Sequence, residues 1–285
     1  MEAGDGCSTK IETMLRALGS DADSLYRRLL EVHPNSSNAA VVEVGVFNGQ
    51  QCLQAAAAGF SPVICFEPSP ANYNNSAAAI AAAPIAPEQK AAIELVNMAV
   101  SNTAGAVVEF HTGGTSGDYA GSSIDAAFQH DPSADKRLQT VKVATTTLDE
   151  YLPSRLPTLA TASSRHHIGA HALHAVLDDA AADAKELYIV KIDTQGFDGV
   201  VIEGMKELLR HKQVTYILLE LWPKSMSLPG RKTCEDSLHF LASNGYTLHD
   251  LAIPDQAWQY GASFGLYLRT PLLVQIYYHA FTKWP

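Results

Sequence analysis

Four carboxylates sit where apolar runs stop. Glu43 lies in VVEVGVFNGQQC (Val41 to Cys52), Glu67 in ICFEPSP, Asp193 in LYIVKIDT and Glu220 in VTYILLEL. Each run is short, continuous and rich in β-branched residues, the pattern of strands covered on both faces. Acids at the C-terminal ends of such strands stand on the ligand side of an open α/β sheet. Glu43 leads into a turn through Gly45 and Gly49. A dinucleotide site wants a further glycine there, so that backbone can approach a pyrophosphate. Phe47 takes that place, and Glu43 repels phosphate. A carboxylate instead favours a cation in a partly dry cleft.

S-adenosylmethionine fits that description, with an ammonium, a sulfonium and no phosphate. Glu67 stands at about the downstream interval where an acid clasps ribose hydroxyls, a charge-assisted contact worth ~1.5–3 kcal/mol. Asp193 and Glu220 end adjacent strands, so both could face the cleft as a base or acceptor-orienting group, Asp193 first and Glu220 second. The alternative is that each caps the turn that follows. Together they could also hold Mg²⁺, which takes oxygen ligands, although nothing in the sequence requires it. Lys191 alternates with Asp193, points to the same side of its strand and is read as an acid's partner. Asp149 in TTTLDEYL reads as a local turn or cap.

The elements that must position these groups follow a repeating rhythm. Residues 9–33 carry Met14, Leu15 and Leu18, then Leu25, Leu29 and Leu30, at helical spacing around Gly19. Strands are expected at AAVVEV, PVICFEP, AIELVNMAV, LYIVKIDT and VTYILLEL, with VQIYYHAF as a late one. DGVVIEGMKELLRH reads as a helix with Val201, Met205 and Leu208 on one face. TCEDSLHFLASNG reads as another, from Thr233 as N-cap to Gly245. Alternating strands and helices imply a mainly parallel α/β sheet. Two stretches interrupt it: HTGGTSGDYAGSS, a candidate lid without a P-loop ending, and an insertion over 154–186. His167, His171, His174 and Asp178 in that insertion share a helical face, read as solvated or pH-responsive rather than as a zinc site.

The bulk properties exclude several classes. At 285 residues with 47% apolar and 18% charged content, the chain suits a soluble globular fold with a sizeable core. A net charge of -10 argues against non-specific nucleic-acid or anionic-membrane binding. The alanine run SAAAIAAAPIAP is too short and proline-broken to span a membrane. Asp5 and the lack of an apolar segment near the N-terminus predict no signal peptide. Four cysteines without zinc spacing predict buried free thiols at Cys52 and Cys65, and a cytoplasmic or other reducing compartment.

The order EVGVFNGQ, FEPSP, NMAVSNTAG, TTTLDEYL, VKIDTQGFDGVVIEGMKELL and YILLELW resembles the FkbM-type methyltransferase family over roughly residues 40 to 225. The resemblance implies a Rossmann-like seven-stranded methyltransferase sheet, mostly parallel, with S-adenosylmethionine as donor and a hydroxyl oxygen as the usual acceptor. By position, Glu43, Gly45, Asn48 and Gly49 would line the methionine part and Glu67 the ribose. Ala99, Val100 and Ser101 would lie near the adenine, and Asp193 beside the reacting centre. The chain departs from the family pattern at the turn, where VF replaces AN, and at D-T-Q-G, where many members have D-V-E-G.

The sequence therefore predicts an S-adenosylmethionine-dependent O-methyltransferase acting on a sugar, glycan or small metabolite. Residues 1–37 would form an N-terminal helical extension and 38–285 the catalytic domain. The extension and the insertion are where a protein partner would bind. The alternative from another class is a non-catalytic, methyltransferase-like scaffold subunit. A dehydrogenase ranks third.

Overall fold

The computed structural model describes residues 22–112, 139–156, 159, 186–221, 234–250 and 272–278. Residues 1–21, most of the glycine-serine stretch, the histidines of the insertion, Thr233 and the side chain of Glu220 lie outside the described residues.

Helix α1 (Ala22–Val32) and a 3-10 turn (Ser36–Asn38) lead into β1 (Ala39–Val44), α2 (Gln50–Ala57), β2 (Val63–Phe66), α3 (Pro70–Ala82), α4 (Pro87–Ala91) and β3 (Ile93–Val96). There follow β4 (Ala99–Val100), β5 (Val107–Thr112), β6 (Gln139–Thr146) and α5 (Leu148–Arg155). The later part holds β7 (Glu186–Ile192), α6 (Asp198–Glu203), α7 (Lys206–Arg210), β8 (Val214–Leu221), α8 (Cys234–Ser243), β9 (Tyr246–Asp250) and β10 (Leu272–Tyr278).

The central sheet runs β3-β2-β1-β7-β8-β10-β9, and each adjacent pair is parallel. This is the expected α/β fold around a mostly parallel sheet. Strand alternation divides the core in two. Val42, Val44, Ile64, Phe66, Val190 and Ile192 pack on one face with Leu148 and Leu152 of α5 and Val201 of α6. Val41, Val63, Cys65 and Ile189 pack on the other with Leu25, Tyr26 and Leu29 of α1 and Ala55 and Ala56 of α2. Leu25 and Leu29 are fully buried, worth roughly 1.5–3 kcal/mol each, and this anchors α1 to the sheet.

Local signals set the helix starts. The Ser69 side chain accepts from the Asn72 N–H and Pro70 opens α3, while the Thr147 side chain accepts from the Glu150 N–H at the start of α5. The continuous helix expected over DGVVIEGMKELLRH is instead two short ones, α6 and α7, meeting at Gly204. A Cβ at Gly204 would lie 2.0 Å from the Ser101 carbonyl oxygen, so backbone passes close here and only glycine fits. Val201, Met205 and Leu208 are all buried nonetheless. Asp149 accepts from the Glu207 and Leu208 N–H groups, holding the first turn of α7 from a separate helix.

The sequence pattern did not foretell a small second sheet, β4-β6-β5, in which β5 and β6 are antiparallel. It also pointed to free thiols at Cys52 and Cys65. Both are buried, but they are joined in a disulfide that ties the first turn of α2 to β2. That corrects the expectation and takes free thiols away as an argument for a reducing compartment. Among the described residues, no helix is long and apolar enough to cross a membrane.

Candidate functional site

A cleft opens at the C-terminal ends of β1, β2 and β7, where an open parallel sheet places ligands. It is lined by Val44, Gly45 and Phe47 from the first turn, Phe66, Glu67 and Pro68 from the end of β2, and Asn72 of α3. Met98 lines it from the bend before β4, Ala99 and Val100 from β4, Phe110 from β5, and Asp193, Thr194, Gln195 and Phe197 from the turn after β7. Two carboxylates and four phenylalanines thus meet in one cleft, and no basic side chain lines it among the described residues.

The first turn is stitched to both neighbouring strands. Gly45 N–H donates to the Phe66 carbonyl at 3.0 Å, and Asp193 N–H donates to the Val44 carbonyl at 2.9 Å. Glu67 secures the tip: its carboxylate accepts from the Phe47 N–H at 2.8 Å and from the Ser69 N–H at 2.8 Å. Burial raises the Glu67 pKa above the ordinary value, and those backbone N–H groups oppose the rise. Phe47 is held in the left-handed region, φ 58°, with its carbonyl accepting from the Ser76 hydroxyl at 3.2 Å. Gln195 is likewise left-handed, φ 53°, and its side-chain amide donates to Asp193 Oδ1 at 2.8 Å. Lys191 Nζ donates to the other oxygen, Asp193 Oδ2, at 3.3 Å. The expected pairing of Lys191 with an acid is therefore present.

Of the residues singled out in the sequence, Gly45, Glu67, Ala99, Val100 and Asp193 come together in the cleft. Asn48, Gly49 and Ser101 do not line it. The Asn48 side chain accepts from the Gln50 N–H at 3.0 Å and so organises the entry to α2. Gly49 is the left-handed N-cap of that helix, φ 76°. Ser101 is buried against Gly204. Glu43 is 1% exposed and lies outside the lining. It ranks between Lys191 and Cys65 across the sheet. Burial, against the opposing pull of Lys191, pushes its pKa up to about 8. Phe47 was noted only as the residue that replaces a glycine. Phe66, Met98, Thr194 and Phe197, although they lie inside the quoted motifs, were given no part, as were Asn72 and Phe110, because apolar and neutral side chains there read as core.

Asp198 is fully buried behind the second turn. Its carboxylate accepts from the Thr194 N–H at 3.2 Å and the Gly196 N–H at 3.0 Å, fixing the loop that carries Asp193 and Gln195. Burial first, and then the charge of Asp193, push its pKa up to about 7. An unfolded chain gives up these two protons near pH 4, whereas the folded chain keeps them to about 7 and about 8. Between those limits the unfolded state binds fewer protons, so stability falls as pH rises. Glu43→Gln is expected to flatten that fall, by on the order of 1.4 kcal/mol for every pH step of one across the interval. Urea midpoints measured from pH 5 to pH 8.5 check it; an equal slope in both proteins contradicts it.

The sequence profile of the Methyltransferase FkbM domain matches residues 43–248 of the chain. No relative among curated proteins matches it.

Proposed function

Because the chain belongs to the FkbM methyltransferase family, we propose that it transfers a methyl group from S-adenosylmethionine to a hydroxyl oxygen of a sugar, glycan or small metabolite. The observation that carries this reading is the make-up of the cleft: Glu67 and Asp193 with four phenylalanines and no basic side chain among the described residues. Such a lining disfavours phosphate and suits an onium cation, through carboxylate attraction and through aromatic faces. The strand order β3-β2-β1-β7-β8-β10-β9 also fits the seven-stranded methyltransferase sheet that the family implies. Residues 38–285 are read as the catalytic domain, with 1–37 as an added helical segment.

In this reading Gly45 brings backbone close to the methionine part of the donor, and Glu67 accepts from the ribose hydroxyls. Met98, Ala99 and Val100 form an apolar wall for the adenine. When bound, the donor supplies an electrophilic methyl group on a sulfonium. The chain's own part is to hold the acceptor hydroxyl in line with that methyl, at about 3–3.5 Å, and to exclude water with the phenylalanines. Asp193 takes the hydroxyl proton on Oδ2 or passes it outward, while Gln195 and Lys191 hold its two oxygens in place. Glu220, at the end of β8, is the second candidate for this part.

Titration of the protein with S-adenosylmethionine and S-adenosylhomocysteine tests the proposal. Micromolar affinity is expected for both. Glu67→Ala is expected to weaken binding by about 10- to 150-fold, the equivalent of ~1.5–3 kcal/mol for a charge-assisted contact. It removes the ribose partner and also frees the Phe47 tip. No binding to the intact protein overturns the enzyme reading in favour of a scaffold subunit. Preferential binding of NADH favours the dehydrogenase.

A further inference from the structure

Glu43 is a fully enclosed carboxyl that the proposed reaction does not use. On one side, Oε1 lies 3.7 Å from Lys191 Nζ. On the other, Oε2 lies 2.8 Å from Cys52 Sγ. That sulfur is bonded to Cys65 and has no proton to donate. A hydrogen bond across this gap therefore needs the proton on Glu43, with sulfur as the weak acceptor. Lys191, only 12% exposed at its side chain, stands between Glu43 and Asp193 and also donates to Asp193 Oδ2 at 3.3 Å.

We propose that Glu43 is a positioning residue for Asp193 and acts on it through Lys191. While Glu43 holds its proton, the lysine charge is committed to Asp193 and keeps that carboxylate a weak base. When Glu43 loses its proton, a second carboxylate competes for the same ammonium. Asp193 is then released to take the acceptor's proton. The site would work best on the alkaline side of Glu43's titration.

The surroundings of Glu43 agree with a single shared cation. Tyr26 and Asp23 face it from α1, Glu67 from the end of β2 and Asp193 from the turn after β7. Asp198 in turn faces Asp193. Lys191 is the cation among these described groups, and it opposes the rise that burial imposes on Glu43. Glu43, Cys52 and Cys65 also gather three donor atoms within 4.8 Å. The bond between the two sulfurs removes both thiolates, so a metal site is not what this cluster provides.

The inference rests on the reading of Asp193 as proton acceptor, but its test needs neither donor nor acceptor and so fails separately. The carboxyl carbons of ¹³C-labelled protein are followed by NMR from pH 4 to pH 10, with folding monitored by the amide spectrum. In the unsubstituted protein the Asp193 signal should show its own step and a second inflection at the pH where Glu43 titrates. Glu43→Gln should erase the second inflection. Lys191→Met should shrink it to what direct repulsion between the two carboxyls leaves, and should raise the Asp193 midpoint by about 1–3 pH units as the neighbouring cation is lost. A single Asp193 step in the unsubstituted protein overturns the proposal, as does an inflection that survives Glu43→Gln. An inflection of undiminished size in Lys191→Met overturns the relay through lysine.

Discussion

Gly45→Ala is expected to cost about 3 kcal/mol or more and to remove measurable donor binding. A Cβ at this position would lie 1.9 Å from the Asp193 carbonyl oxygen, and φ is +91°. Two penalties coincide: a backbone conformation that L side chains rarely adopt, at ~1–3 kcal/mol, and an overlap with backbone that has no flexible end to yield. Relief requires β1 and the turn after β7 to part. That movement would strain the bond from Asp193 N–H to the Val44 carbonyl and displace the cleft's two turns together. The melting temperature should fall by about 6–12 °C at 2–4 °C per kcal/mol. Gly105→Ala is the control for conformation alone, with φ +71° and nothing within 4 Å of the added carbon. Gly204→Ala is the control for overlap alone, at 2.0 Å from the Ser101 carbonyl oxygen and away from the cleft lining. If Gly45→Ala binds donor as the unsubstituted protein does, the close approach of the two turns is not what shapes the site.

The strands beneath those turns were legible because burial on both faces leaves a plain mark. AAVVEV and VICF are buried at every position and read as continuous apolar runs. Strand β5 carries no such mark: Val107 is 67% exposed and only Phe110 and Thr112 are buried. Its pairing with β6 supplies order that its own composition does not announce. The rule that places ligands at strand ends located the right end of Glu43 but not its face. Val42 and Val44 look into one core and Val41 into the other, so Glu43 follows Val41 toward α1 and α2. The same register brings Cys65 beside Glu43, and the disulfide to Cys52 depends on that geometry rather than on sequence spacing.

The two departures from the family pattern acquire a common feature. Phe47 stands at the first turn and Gln195 at the second. Both are non-glycine residues with positive φ, and both line the cleft. Such conformations cost energy and persist where surrounding bonds over-determine them, as Glu67 and Ser76 do for Phe47. Those bonds, with those of Asp198 at the second turn, hold the backbone of the two turns that border the cleft. The cleft thus carries an apolar side chain on its first turn and an amide on its second. In the proposed reaction, a hydroxyl carried on a partly apolar framework would match both.

Asp193→Asn is expected to lower transfer by about 10²–10⁴-fold while leaving donor affinity within a factor of about two. The substitution keeps shape and hydrogen bonding: the new amide can present its oxygen to Lys191 and its nitrogen to a rotated Gln195. What it removes is the capacity to take a proton from the acceptor. Labelled S-adenosylmethionine incubated with extract fractions gives the readout, with labelled product from the unsubstituted protein compared with Asp193→Asn at equal donor saturation. Glu67→Ala should give the opposite pattern, a raised donor requirement with a rate that recovers at high concentration. The contrast follows from placement. Glu67 is buried and bound to the backbone of the turn it stabilises, whereas the Asp193 side chain is 32% exposed and its two oxygens accept from Lys191 and Gln195. A full transfer rate from Asp193→Asn would move the base to Glu220, at the end of the adjacent strand β8.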